Sequence, residues 1–228
     1  MTRENEAREI LCRMGDLLYR RGLVHGSSGN LSVRLDDGWL VTPTNSSLGL
    51  LDPARLSRLD ASGRHVGGDP PSKEAFLHTC VYDVRPDAGA IVHTHSTHSV
   101  AVSCLDHKPG APVLPPLTAY YVMRVGDLAL VPYYRPGDER LALAVREMAV
   151  KHAAVLLANH GPVIAGKTLN DALYALDGGT RRELAQVTTN ADGRTDGPIL
   201  PEGEFRSGRY ELVFHVGEWL DSHHQAET

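Results

Sequence analysis

The segment Ala90-Ile91-Val92-His93-Thr94-His95 constrains the chain more than any other. Its three apolar residues read as a buried strand, and two histidines close it. Side chains at i and i+2 of a strand point to the same face, so both imidazoles can reach one ion. A second apolar run, Ala153 to Leu157, leads into Asn159-His160-Gly161, where a turn at Gly161 and Pro162 can bring His160 to the same sheet edge. A catalytic zinc takes three protein ligands and keeps one open position, and imidazole suits it. The plainer alternative is a set of strand-end histidines without a metal, and for His160 taken alone that is the ordinary reading.

Around this pair the hydrophobic pattern alternates between helix and strand. Ile10, Leu11, Met14, Leu17 and Leu18 share a helical face that Gly22 ends. Asn30 to Leu35 and Trp39 to Thr42 read as strands joined by the turn Asp36-Asp37-Gly38. A loop rich in Ser, Gly and Pro is expected from Pro43 to Pro71, broken by a short apolar segment. Ser72 reads as an N-cap for a helix burying Phe76, Leu77, Cys80, Val81 and Val84. Further helices are expected over Val100 to Leu105 and Asp138 to Lys151, and one starts near Thr168 with Asp171 completing a capping box. Tyr210 to Val216 reads as one more strand. Mixed hairpins and irregular alternation favour an α/β layered domain over a purely parallel doubly wound one.

Composition narrows the function classes. With 228 residues, 42% hydrophobic and 22% charged, the chain suits one globular domain over residues 1–228. No apolar run approaches the ~20 residues that span a bilayer, and Arg13 and Asp16 break the first apolar stretch, so neither a membrane span nor a secretory signal is expected. Cys12, Cys80 and Cys104 are scattered and odd in number, which points to a reducing cytoplasm. The net charge of −5 and the lack of a basic stripe do not favour nucleic acid.

Two further features carry chemistry. Glu74, placed in the first turn of the helix begun by Ser72, either favours the helix dipole or faces the metal and moves protons. Gly26-Ser27-Ser28-Gly29-Asn30 and the amides after Ser72 form two groups of anion donors, with Lys73 adding positive charge beside them. Gly161 to Thr168 matches a phosphate-loop pattern, but Pro162 lacks an N–H and Val163 and Ile164 are β-branched, so a strand returning from His160 fits better. A cupin-type barrel would want a glutamate soon after the pair, whereas the next acidic residue is Asp106. A metal-dependent TIM-barrel hydrolase would want about 250 residues, with the pair near its start.

Gly29-Asn30-Leu31-Ser32, Thr42-Pro43-Thr44, Pro71-Ser72-Lys73-Glu74, His93-Thr94-His95-Ser96 and Asn159-His160-Gly161 occur in the order of the class II aldolase/adducin superfamily, which the chain resembles up to about Gln186. The resemblance implies a three-layer α/β/α fold with a central mixed, largely antiparallel sheet. It implies one zinc, or another divalent ion, per subunit at His93, His95 and His160, with Glu74 as ligand or acid–base. It also implies phosphate binding by Gly29, Asn30, Thr44, Asn45, Ser72 and Lys73, and a homotetramer with sites between subunits. Within the superfamily, Leu114 to Met123 and Tyr133 to Asp138 are similar to decarboxylases of 3-oxo-tetronate 4-phosphate. The sugar-phosphate aldolases typically carry a second serine where Lys73 stands and a glycine near Asn45. Gly178-Gly179 and the segment from about residue 187 depart from the pattern.

The implied reaction is loss of carbon dioxide from a phosphorylated 3-oxo sugar acid through a metal-stabilised enediolate, leaving dihydroxyacetone phosphate. Glu74, Tyr120 or Tyr121 would assist proton transfer, a tyrosine reaching a neighbouring subunit's site. The rivals are a class II aldolase releasing an aldehyde and a non-catalytic binding protein like the adducin heads.

Overall fold

The computed structural model describes residues 2–107, 112–135 and 138–176. Helix α1 (Arg3–Arg20) starts at Thr2, whose hydroxyl accepts from the amide of Asn5 at 3.3 Å. Strands β1 (Asn30–Leu35) and β2 (Gly38–Val41) form the expected hairpin. There follow β3 (Ser57–Asp60), β4 (His65–Gly67), α2 (Ala75–Val84), β5 (Ala90–His93), α3 (Thr97–Ser103), α4 (Ala119–Arg124) and β6 (Ala129–Val131). The described fold closes with α5 (Arg140–Ala149), β7 (Ala154–Leu157), β8 (Gly161–Gly166) and α6 (Leu169–Leu176).

The eight strands form one sheet in the order β4-β3-β2-β1-β5-β8-β7-β6, antiparallel throughout except for the parallel β6–β7 pair. Alternation along each strand divides the core in two. Leu31, Leu35, Leu40, Ala90, Val92, Ala154 and Ile164 face α1 and α6. Trp39, Val41, Ile91, Val155, Leu157, Val163 and Ala165 face α2 and α5. Helices on both faces of a mixed sheet make the three-layer arrangement that the resemblance implied.

Several expectations need correction. The segment expected as loop from Pro43 to Pro71 contains β3, β4 and short 3-10 turns at Leu48–Leu50 and Pro53–Arg55. β3 carries one large apolar residue, Leu59, and is held by pairing with β2 rather than by its own pattern. Ser72 does not cap α2. Its hydroxyl accepts from the amide of Glu74 at 3.3 Å in a turn that precedes the helix, and Glu74 stands at the helix boundary. Phe76 is 36% exposed, while His78 and Tyr82 occupy the buried face instead. The capping box is as expected: Thr168 and Asp171 bond each other's amides at 3.2 Å. The strand expected over Tyr210 to Val216 and the segment from about 187 lie outside the described residues. Among the described residues no helix is long and apolar enough to cross a membrane.

Candidate metal centre

β5 runs through the middle of the sheet, with all four residues buried, between β1 and β8. His93 ends it, paired across to Asn30 on β1 and Val163 on β8, on the face that carries Ile91 and looks toward α2. Glycines on both neighbours let the backbones close around the next residue. A Cβ on Gly29 (φ +76°) would lie 2.9 Å from the His93 carbonyl, and one on Gly161 (φ +149°) would lie 2.3 Å from that of Thr94. Asn159, at φ +58°, turns the chain ahead of His160. The His160 amide donates to Ser103 Oγ at 3.2 Å, tying that turn to the end of α3.

This folding brings three imidazoles together. His93 Nε2 and His160 Nε2 each lie 3.0 Å from His95 Nε2. Glu74 adds Oε1 at 3.0 Å from His160 Nε2 and Oε2 at 3.4 Å from His93 Nε2. All four ligand atoms lie within 4.8 Å of one another. His93 Nδ1 is 2.8 Å from the Pro162 carbonyl, to which only a protonated nitrogen can donate, so Nε2 turns its lone pair inward. A buried nitrogen that turns its lone pair into such a cluster is suited to a cation. Bonds of about 2.05 Å in a tetrahedron would separate the nitrogens by about 3.3 Å, close to the spacing here.

The electrostatics agree. Burial pushes His95 down to about 4, and the neighbouring His93 and His160 push the same way, keeping that ring unprotonated at neutral pH. Burial by itself would raise the Glu74 carboxyl. The facing nitrogens of His160 and His93 outweigh it and hold the group well below the usual carboxylate range. Three histidines and an ionised carboxylate make a donor set that fits a divalent metal such as zinc.

Of the residues expected to bind phosphate, Gly29, Asn30 and Ser72 border this cluster. Asn30 Nδ2 donates to Glu74 Oε2 at 2.8 Å and to Ser72 Oγ at 3.2 Å. The 42–46 loop is tied to the segment before Glu74 by a bridge between Pro43 and Pro71 and by the Ser72 amide, which donates to the Thr42 carbonyl at 3.2 Å. Thr44 is half-buried on that loop. Asn45, which stands near the position where the aldolases typically carry glycine, is exposed at φ +55°, a left-handed conformation that asparagine tolerates well. Lys73 is exposed. The tyrosines stand outside the cluster. Tyr121 is buried, its hydroxyl without a partner among the described residues and pushed up to about 12 by burial, and Tyr120 is 41% exposed under the Arg124 guanidinium.

His78 has no counterpart among the sequence expectations. It is fully buried, with Nε2 2.5 Å from Asn30 Oδ1 and Nδ1 2.7 Å from Ser32 Oγ, which lies 2.8 Å from the Tyr82 hydroxyl. Its spacing of four from Glu74 was the available signal, since i and i+4 share a helix face.

Comparison with known proteins gives the family. The family model described as Class II Aldolase and Adducin N-terminal domain matches residues 9–178. A HIUase/Transthyretin family model matches residues 154–227, of which 154–176 here form β7, β8 and α6. A 3-oxo-tetronate 4-phosphate decarboxylase of Cupriavidus necator is 48% identical over 78% of this chain and 82% of its own length. An L-fuculose phosphate aldolase of Haemophilus influenzae is 37% identical over 69% of this chain and 71% of its own. The crystal structure of YgbL from Escherichia coli superposes with a TM-score of 0.75 at 45% identity, over 77% of this chain and 86% of that one. The match over most of the chain, together with these identities, shows that this chain belongs to the class II aldolase and adducin family.

Proposed function

We propose that this chain is a metal-dependent carbon–carbon lyase that decarboxylates 3-oxo-tetronate 4-phosphate to dihydroxyacetone phosphate and carbon dioxide. The observation that carries the reading is the gap in similarity: 48% identity to a curated decarboxylase against 37% to an L-fuculose phosphate aldolase, on a chain that retains the whole Glu74, His93, His95, His160 cluster. The same cluster speaks against a purely binding role.

His93, His95 and His160 hold the metal, zinc by preference, and Glu74 stands beside them as fourth ligand or proton carrier. A divalent ion bound there supplies a Lewis acid that draws electron density toward the substrate carbonyl as the carbon–carbon bond breaks. Asn30, Ser72 and Thr44 orient the phosphate with Gly29 and Asn45 of the adjoining loops, and exposed Lys73 adds positive charge. Glu74, ionised at rest and beside the same pocket, would take up a proton from water and pass it to the product carbon, which must gain one once carbon dioxide has left. Tyr120 or Tyr121 is assigned as an auxiliary donor to the site of a neighbouring subunit in a homotetramer. Three free cysteines support a cytoplasmic setting.

The test is to incubate 3-oxo-tetronate 4-phosphate with zinc-loaded and chelated enzyme and follow both products. Zinc-dependent release of carbon dioxide with dihydroxyacetone phosphate is expected. A second organic carbonyl in place of carbon dioxide would move the assignment to an aldolase, and turnover unaffected by chelation would remove the metal.

A further inference from the structure

Strand β1 shows two different faces. Leu31, Val33 and Leu35 meet α1 and its neighbours, whereas Asn30, Ser32 and Arg34 face α2. Opposite them stand Glu74, just before α2, and His78 and Tyr82 on it, at intervals of four residues. Two strand residues advance about 6.7 Å and four helix residues about 6.0 Å, so the polar groups meet rung by rung. Arg34 closes the far end, its guanidinium 4.3 Å over the Tyr82 ring and donating to the Tyr82, Arg85 and Ala88 carbonyls.

The direction of every bond in this ladder follows from its last member. An ionised Glu74 only accepts, so the Asn30 amide must turn Nδ2 toward it and leave Oδ1 toward His78. An oxygen there requires hydrogen on His78 Nε2. The ring is buried and neutral, so Nδ1 must accept, which makes the Ser32 hydroxyl the donor at 2.7 Å and Tyr82 the donor to Ser32 at 2.8 Å. At the open end, Ser72 Oγ accepts from Asn30 Nδ2 and from the Glu74 amide, which leaves its own hydrogen to donate.

We propose that His78 is a positioning residue of the site: as the Nε2–H tautomer it holds the Asn30 amide, whose two Nδ2 hydrogens go to Glu74 and Ser72, so that Ser72 is left to turn its hydroxyl hydrogen to an anionic group. His78 does not touch substrate. It acts through Asn30: without it Asn30 Oδ1 is buried with no donor, and an amide that flips to reach the Ser72 hydroxyl takes the hydrogen the anion would receive. The inference rests on reading Asn30 and Ser72 as part of the phosphate site.

Two measurements on the zinc-loaded full chain test it. Two-bond 1H–15N spectra report the tautomer of His78 directly, with Nε2–H expected. An Nδ1–H tautomer or an imidazolium would overturn the proposal, whether or not any variant folds. Calorimetry with inorganic phosphate then compares wild type, His78→Leu, His78→Gln and Val81→Ala. Loss of one donor to a charged group weakens phosphate binding roughly tenfold in His78→Leu with zinc content kept. His78→Gln, which retains an N–H, recovers most of it. Val81→Ala, an apolar truncation on the same helix, loses stability without losing phosphate. Phosphate affinity in His78→Leu within twofold of wild type, or His78→Gln as weak as His78→Leu, would sink the proposal. If wild type binds no phosphate, the anion-site reading fails on its own account and the tautomer alone judges His78.

Discussion

Replacing Glu74 by glutamine removes one negative charge and keeps the side chain's shape, so the structure separates two effects. Glu74 accepts from Asn30 at 2.8 Å and meets the imidazole nitrogens of His160 and His93 at 3.0 and 3.4 Å. A glutamine oxygen can still accept from Asn30. That bond changes from charge-assisted to neutral, a loss of about 1 kcal/mol, or less than tenfold in rate. A glutamine cannot carry a proton, and positioned acid–base groups contribute roughly 10²–10⁴-fold, or about 3–5 kcal/mol. His93, His95 and His160 remain, enough protein ligands for a catalytic zinc. Glu74→Gln should therefore lose at least a hundredfold in kcat while holding close to one zinc per chain. Turnover is followed by coupling dihydroxyacetone phosphate to an NADH-dependent reductase, and metal by mass spectrometry. A fall of less than tenfold at full zinc loading would refute the proton-transfer role and leave Glu74 as scaffold.

Three other outcomes are expected. Gly161→Ala places a Cβ 2.3 Å from the Thr94 carbonyl at φ +149°, so it should destabilise by at least roughly 1–3 kcal/mol from backbone strain, and an unchanged urea midpoint would contradict the close approach. Burial holds His78 down at about 3, so below the unfolded value near 6.5 the folded state binds fewer protons and stability falls as pH drops from there toward 3. Wild type should lose about 2 kcal/mol between pH 7 and 5 on this account, and His78→Gln should lack that increment, so equal pH dependence in urea melts would exclude it. Burial raises the thiols of Cys80 and Cys12 to about 12 and about 11, so at pH 8 iodoacetamide should modify exposed Cys104 first. Peptide mass spectrometry showing Cys80 labelled ahead of it would disprove the packing around α2.

What was legible in the sequence was whatever rests on local pattern. The apolar runs before His93 and His160 are strands, and the return through Pro162 is a strand rather than a phosphate loop. The histidines meet because His93 and His95 lie near the end of β5 while His160 stands just before β8, its sheet neighbour. Less legible were elements that owe their existence to a partner. β3 has little pattern of its own and is held by β2, and β6 is three residues beside β7. At α2, apolar spacing alone places Phe76 in the core and misses His78 and Tyr82, because a buried polar pair is recognisable only once Ser32 and Asn30 stand opposite. The tyrosines of α4 lie outside the histidine cluster, and nothing in a linear pattern tells whether such a side chain reaches the site.

The two-faced β1 also bears on how the sheet assembles. A strand covered on both sides can be apolar throughout, and such a strand tolerates slipping by one residue because either set of side chains meets oil. Here a one-residue slip would drive Leu31 and Val33 against His78 and Glu74, and would strand Asn30 and Ser32 in the layer beneath α1. Each misplaced polar group would be left without a partner, at about 1–3 kcal/mol apiece. The polar seam between β1 and α2 thus also disfavours a slipped register of β1.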